Sequence, residues 1–207
     1  MIIAIEGVSC TGKSTLAARL ADMFGSQVVP CFYHVASNPA LLGNPLATTE
    51  NEQLAALTAH LLVEAERRHQ ADVALARDGT VILDRSIDTL LAHLTAVGQL
   101  QELDVPATVS RARRLIDQAV SARAAVVPDL TLVLVATPPV LAKRGATRPN
   151  VPLLYYNPAF TLHFNRYFDD PISPRCLRLD ADDDPGVVLS AALNAISKTA
   201  SNLAEGA

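Results

Sequence analysis

Near the start of the chain stands Gly7-Val8-Ser9-Cys10-Thr11-Gly12-Lys13-Ser14, a full G-x-x-x-x-G-K-[ST] pattern followed by Thr15. An apolar run precedes it and a helical pattern follows, the context the pattern requires. This one stretch constrains the fold hard, because a strand must hand the chain to a loop whose amides converge and then to a helix. Gly7 and Gly12 permit backbone angles that a side chain forbids, so consecutive N–H groups can point at one anion. The helix starting near Lys13 adds its partial positive end. Lys13 can reach the β- and γ-phosphates of a nucleotide, and the Ser14 hydroxyl can ligate magnesium. The expected nucleotide-binding set is therefore Gly7, Ser9, Cys10, Thr11, Gly12, Lys13, Ser14 and Thr15, with ATP and Mg2+ as its occupants. Cys10 reads as a tolerated small side chain within the loop.

The rest of the chain alternates short apolar runs with longer helical patterns, the mark of a parallel sheet built from βαβ units. Met1 to Glu6 is a first strand, apolar on both faces as a central parallel strand is. Lys13 to about Phe24 is a helix ended by Gly25, and Gln27 to Cys31 a second strand. Phe32 to Thr49, with Pro39, Gly43 and Pro45, is a loop or short broken helix. A long helix runs from about Asn51 to Arg77, and Asp78-Gly79 turns the chain into a strand at Thr80 to Leu83. A helix from Ser86 or Asp88 stops near Gly98, and another spans Ala107 to about Ala124. Leu130 to Ala136 is a strand, and Pro138 starts a short helix toward Arg144. Gly145 to Pro158 has little regular signal and reads as a mobile flap. A helix at Ala159 to Asp169, a last strand at Cys176 to Leu179 and a terminal helix from Pro185 complete the pattern. No repeat or linker interrupts it, so residues 1–207 read as one domain.

Composition narrows the partners. With 50% hydrophobic residues in 207 there is ample material for a core, and a net charge of -4 gives no broad attraction to nucleic acid or anionic lipid. The longest later apolar stretch, Val126 to Leu141, is broken by Pro128, Asp129, Pro138 and Pro139 and cannot span a bilayer. No signal peptide is expected, and Cys10, Cys31 and Cys176 show neither CxxC nor zinc spacing. They read as free thiols of a cytoplasmic protein.

Val81-Ile82-Leu83-Asp84-Arg85-Ser86 places an acid and a base where an apolar strand runs out, and ligands of open α/β sheets sit beyond such ends. Asp84 is expected either to complete the magnesium shell or to accept a proton from an attacking hydroxyl. Arg85 is placed to grip a phosphate in bidentate fashion. On the long helix, Leu54, Leu57, Leu61 and Arg68 share a stripe with Glu64 beside it. Arg68 is expected either to face a ligand or to pair with Glu64; Arg67 lies further round with His60.

At these residues the chain resembles the nucleoside and nucleotide kinases of the P-loop class, and thymidylate kinase most of all. The similar features are I-E-G-x-x-x-x-G-K-S-T, the D-R-S-x-D-x-x-L-A segment at Asp84 to Ala92, and P-D-L-T-L-V-L-V-x-x-P-P from Pro128 to Pro139. Arg144 and Arg148 then follow, and Arg178 to Ala181 with Pro185 close the series. The resemblance implies a three-layer α/β P-loop NTPase fold, with a five-stranded parallel sheet flanked by helices and a lid at about 144–158. It implies that Arg144 and Arg148 neutralise the transferring phosphoryl group beside Lys13, Asp84 and Arg85, and that the loop at Asp180 passes near the adenine. Arg67, Arg68, Glu64 and Arg85 become the acceptor-binding set, and fold-level analogy places a two-fold dimer through the helices around Leu90 and Leu115. The chain departs from the family at Ser9, where many thymidylate kinases carry an acid, at Cys31, near the place of a catalytic Glu, and across Phe32 to Thr49, which holds no Arg or Lys. The reading is thus an ATP- and magnesium-dependent phosphotransferase acting on a nucleoside monophosphate or nucleoside-like acceptor. A kinase of another small alcohol and a nucleotide-dependent switch stand as alternatives.

Overall fold

The computed structural model describes residues 1–148 and 152–205. Five strands form one parallel sheet in the order β2-β3-β1-β4-β5: β1 Ile2–Glu6, β2 Gln27–Val29, β3 Val81–Asp84, β4 Leu130–Val135 and β5 Cys176–Asp180. The expected five-stranded sheet with helices on its sides is therefore what the chain forms. β1 sits at the centre because both its faces are apolar. Ile3, Ala4 and Ile5 are fully buried, with Ala4 in register with Leu83 on one side and Thr131 on the other.

Alternation along β1 divides the core. Ala4 joins Val29, Val81 and Leu83 under the small side chains Ala71 and Ala74 of α3 (Glu50–Asp78), which let that long helix lie close to the sheet. Ile3 and Ile5 join the larger cluster with Leu16 and Leu20 of α1 (Lys13–Phe24) and Ile87 and Leu91 of α4 (Ile87–Leu100). The other helices are α2 Phe32–Val35, α5 Val105–Ser121, α6 Pro138–Gly145, α7 Pro158–Tyr167 and α8 Pro185–Glu205.

Local chemistry sets the boundaries. Thr49 and Glu52 form a reciprocal capping box that starts α3, and Gly79, in the left-handed region, ends it. Strand β2 stops at Val29, two residues earlier than the sequence suggests, because Pro30 lacks the N–H that would continue the ladder. The stretch expected as a broken loop, residues 32–49, forms α2 and a 3-10 turn at Pro39–Leu42 whose first N–H groups Asn38 caps. Part of the expected flap is also ordered, as a second 3-10 turn at Leu153–Tyr156; residues 149–151 of the expected lid lie outside the described residues.

Candidate active site

The loop after β1 has the geometry its glycines imply. Gly7 has φ of 131°, and a Cβ there would collide with the Leu134 carbonyl of the neighbouring strand. Gly12 at φ 100° caps α1, and Cys10, buried, takes the left-handed region at φ 67°. Lys13 folds back so that Nζ donates to the Val8 carbonyl at 2.7 Å, and the Thr11 hydroxyl donates to the same oxygen at 3.0 Å. Burial, reinforced by the positive charge of Arg85, lowers the Lys13 pKa to about 7. A cation so poorly compensated by the protein is a group waiting for an anion.

Strand register brings the second half of the site alongside. Ile5 pairs with Asp84, so the end of β3 lies next to the start of the loop. Ser14 Oγ donates to Asp84 Oδ2 at 3.0 Å. A hydroxyl and a carboxylate in contact at the loop's edge form the sparse oxygen set suited to magnesium, which keeps most of its shell as water and phosphate oxygens. Among the described residues no group of three or more His, Cys, Asp or Glu offers a fuller metal cage.

Arg85 takes φ of 71°, its N–H donating to Ile5 O at 3.1 Å and its Nη1 to Thr89 Oγ1 at 2.8 Å. Beneath it, Glu6 is fully buried. Its Oε1 accepts from Ser86 N at 2.7 Å and Ser86 Oγ at 2.9 Å, burial raises its pKa, and its Oε2 has no partner. Glu6 thereby ties the end of β1 to the turn that presents Asp84 and Arg85.

The long helix behaves differently from its sequence reading. Arg67, expected at the acceptor, is 1% exposed and bonds Glu64 Oε2 at 2.5 Å, Pro30 O at 2.8 Å and Arg85 O at 2.5 Å, with its carbon 4.2 Å from the centre of the Phe32 ring. Glu64 is fully buried, and burial raises its pKa against the pull of Arg67. Arg68 pairs with Asp72 at 2.8 Å and with the Ala125 carbonyl. None of the three lines the cavity beside the loop; Glu64 and Arg67 instead staple the ends of β2 and β3. Arg144 leaves the end of α6 to reach Ala181 O at 2.7 Å and Thr11 O at 3.4 Å. It therefore joins the P-loop to the loop after β5, where Asp180 accepts from Asp182 N and Asp182 from Thr137 N. Arg148 is exposed, its N–H bonded to Gly145 O.

A cavity of about 830 Å³ opens beside the loop. Val8, Ser9 and Arg85 line its end beside the loop; α2, α3, α4 and the stretch 39–47 together supply most of the wall, and Tyr155 and Phe160 close another side. Leu90 lines it and Leu115 packs against the core. Sequence reasoning missed Gln53 and His93 in this wall and Glu6 beneath it. A polar residue at a buried helical position was the signal for the first two, and an acid ending an all-apolar strand for the third.

The AAA domain family matches residues 2–149, which holds the P-loop, the Asp84-Arg85 turn and β4. The chain belongs to the AAA domain family. No curated protein matches it. Among solved structures this AAA domain is similar to deoxyadenosine kinase from M. mycoides with the products dCMP and a flexible dCDP bound. That likeness has TM-score 0.67 at 16% identity over 96% of this chain and 100% of that one. The same enzyme with bound dATP gives 0.66 at 16% over 95% and 99%, and with bound dCTP 0.57 at 15% over 96% and 100%. The AAA domain thus has the P-loop kinase fold over nearly its whole length.

Proposed function

We propose that the chain is a phosphotransferase that moves the γ-phosphoryl group of ATP, with Mg2+, to a small nucleoside-like acceptor. One observation carries this reading: the P-loop and the acceptor cavity share a wall at Val8, Ser9 and Arg85, so a donor's terminal phosphate meets whatever fills the cavity. The similar solved structures are of a deoxyadenosine kinase with deoxynucleotides bound, which supports a nucleoside-type acceptor. The thymidylate-kinase-like acceptor, a nucleoside monophosphate, belongs to the same reading.

Phosphoryl transfer demands positioning and charge neutralisation more than covalent help. The loop amides from Gly7 to Thr15 hold the β- and γ-phosphates, and Lys13 exchanges the Val8 carbonyl for a phosphate oxygen. Ser14 and Asp84 would hold the metal, which would offset the charge of the phosphates. Arg85, fixed by Thr89, covers the transferring group from the cavity side. Arg144 and the loop after Asp180 form the wall on the adenine side, and Arg148 sits on the lid. Among the described residues no Asp or Glu lines the cavity, so the acceptor's hydroxyl proton passes to water as its oxygen bonds the phosphorus.

A second reading, transfer to a hydroxyl of another small metabolite or natural product, is favoured by the cation-free segment 32–49 and by the internal pairing of Arg67 and Arg68. Calorimetry with MgADP and label transfer from γ-labelled ATP test the proposal. Binding with transfer, both lost in Lys13→Ala, is expected; a folded protein that binds no MgADP refutes it.

A further inference from the structure

Arg85 holds a conformation that its own side chain disfavours. Its φ of 71° lies in the left-handed region, which residues with a Cβ avoid. Such strain persists only where the surroundings over-determine it, and it collects at functional sites. Here three backbone groups are pinned. The Arg85 N–H donates to Ile5 O at 3.1 Å, and the Arg85 carbonyl accepts from Arg67 Nη2 at 2.5 Å. The next N–H, that of Ser86, donates to Glu6 Oε1 at 2.7 Å. The Ser86 hydroxyl donates to the same oxygen at 2.9 Å and accepts from Asp88 N at 3.2 Å, which starts α4. With the turn so fixed, the guanidinium reaches Thr89 Oγ1 at 2.8 Å and lines the cavity end beside Val8 and Ser9.

Glu6 is the member of this set whose side chain has no other task. It is fully buried, and both of its hydrogen bonds go to Ser86. Burying an acid is costly, so its retention under the site needs a reason. Negative charge is not that reason. Among the described residues nothing donates to Oε2, and burial raises the Glu6 pKa against the pull of Arg85. The group therefore works as a neutral acceptor of two bonds. If Ser86 N–H were released, residue 85 could relax to a negative φ. Its Cβ would then point elsewhere, and the guanidinium would leave Thr89 and the cavity end.

We propose that Glu6 is a positioning residue of phosphoryl transfer, holding the Ser86 N–H and hydroxyl so that the chain stays left-handed at Arg85 and the guanidinium is aimed at the transferring group. This rests on the phosphotransferase reading above and adds to it a side chain that touches neither nucleotide nor acceptor.

The test measures label transfer from γ-labelled ATP, with Mg2+ and a fixed small-molecule cell extract as acceptor pool, while ATP is varied. Glu6→Leu removes both bonds and should lower the apparent kcat by about 10²-fold, the effect of a misplaced reacting contact. The KM for ATP should stay within about twofold. Unchanged MgADP binding by calorimetry shows that the loop is folded. Glu6→Asp keeps the acid but draws it back by one methylene, and should lose at least about tenfold. Glu6→Gln offers a carboxamide oxygen to the same two donors and should restore the rate to within about threefold of wild type. Adding Glu6→Leu to Arg85→Met should slow transfer no further, because the group being aimed is gone. Should Glu6→Leu not fold, the Asp and Gln variants decide. The proposal is overturned if Glu6→Gln is as slow as Glu6→Asp, if Glu6→Leu and Glu6→Asp keep the wild-type kcat, or if Glu6→Leu costs as much in the Arg85→Met background as alone. If wild type labels no product although MgADP binds, the phosphotransferase reading itself falls and takes this inference with it.

Discussion

Removing the Arg67 guanidinium while keeping its volume, as in Arg67→Met, tests whether the end of the sheet is held by a buried charge. Arg67 is 1% exposed and Glu64 is fully buried, so neither charge is screened by water. The guanidinium bonds Glu64 at 2.5 Å and the carbonyls of Pro30 and Arg85 at 2.8 and 2.5 Å. Removing one partner of such a pair costs about 3–5 kcal/mol. Glu64, whose pKa burial already raises, takes up a proton in the variant and relieves part of the loss. The two carbonyls left behind add about 1 kcal/mol each unless water reaches them. A net loss of about 4 kcal/mol follows, a large share of the 5–15 kcal/mol typical of a domain. At about 2–4 °C per kcal/mol for a chain of this size, Tm should fall by about 8–16 °C. Urea unfolding followed by circular dichroism measures the loss directly. Glu64→Gln should cost a similar amount, because it leaves the guanidinium buried and unneutralised. Glu64→Leu/Arg67→Met should cost less than the sum of the single changes, with a coupling of at least about 1 kcal/mol. An Arg67→Met protein within about 1 kcal/mol of wild type, or additive single changes, would refute the staple.

Other parts of the site make independent demands. Lys13→Ala should lower label transfer by about 10²–10³-fold, the effect of losing one charge-stabilising contact at the reacting group, with the circular dichroism spectrum unchanged. Asp84→Asn should raise the half-saturating magnesium concentration for transfer by about tenfold or more, read from a titration at fixed ATP. Gly7→Ala forces a Cβ against Leu134 O at a φ of 131°, so MgADP binding should be lost and stability should fall by about 1–3 kcal/mol. His93, with its pKa lowered from 6.5 to about 4, contributes stability that is complete above pH 6.5 and lost as pH falls toward 4. The difference in unfolding free energy between wild type and His93→Gln should therefore change by about 3 kcal/mol between pH 7 and pH 4. A pH-independent difference would show that the imidazole is not held neutral.

The fold was legible because its signals are short-range and redundant. Ile2 to Glu6 reads as a central strand from apolarity on both faces, and the register that buries Ile3, Ala4 and Ile5 agrees. The glycines of the loop need left-handed or open angles whatever surrounds them, and Gly7 and Gly12 take them. The strand order β2-β3-β1-β4-β5 was not legible, because which strand lies beside which is decided by pairings such as Thr131 with Cys176 and Ile3 with Leu130, far apart in the chain, that leave no local mark. The same holds for Asp129, whose carboxylate accepts from the Ile2 N–H at 2.7 Å across 127 residues.

The site was legible only where one residue's chemistry sufficed. Lys13, Ser14 and Asp84 needed no knowledge of their neighbours. On α3 the reading turned on one residue's rotation. Taking Leu54, Leu57, Leu61 and Arg68 as the inward stripe made Arg68 the cation to explain, whereas the buried positions are Gln53, Leu57, Glu64, Arg67, Ala71 and Ala74. The two stripes share Leu57, and 100° separates Arg67 from Arg68. A helix that packs on the sheet at its C-terminal half and on a cavity at its N-terminal half has no single apolar face for the period to find. Its true face carries a carboxamide, a carboxylate and a guanidinium, three groups that a hydrophobicity count assigns to solvent. The burial of Arg67 rests on Glu64 one turn away and on carbonyls of two strand ends, of which only the first is visible within the helix. That partner set also explains why an arginine that sequence alone assigns to the acceptor holds the scaffold instead, leaving Arg85 as the sole Arg or Lys lining the cavity among the described residues.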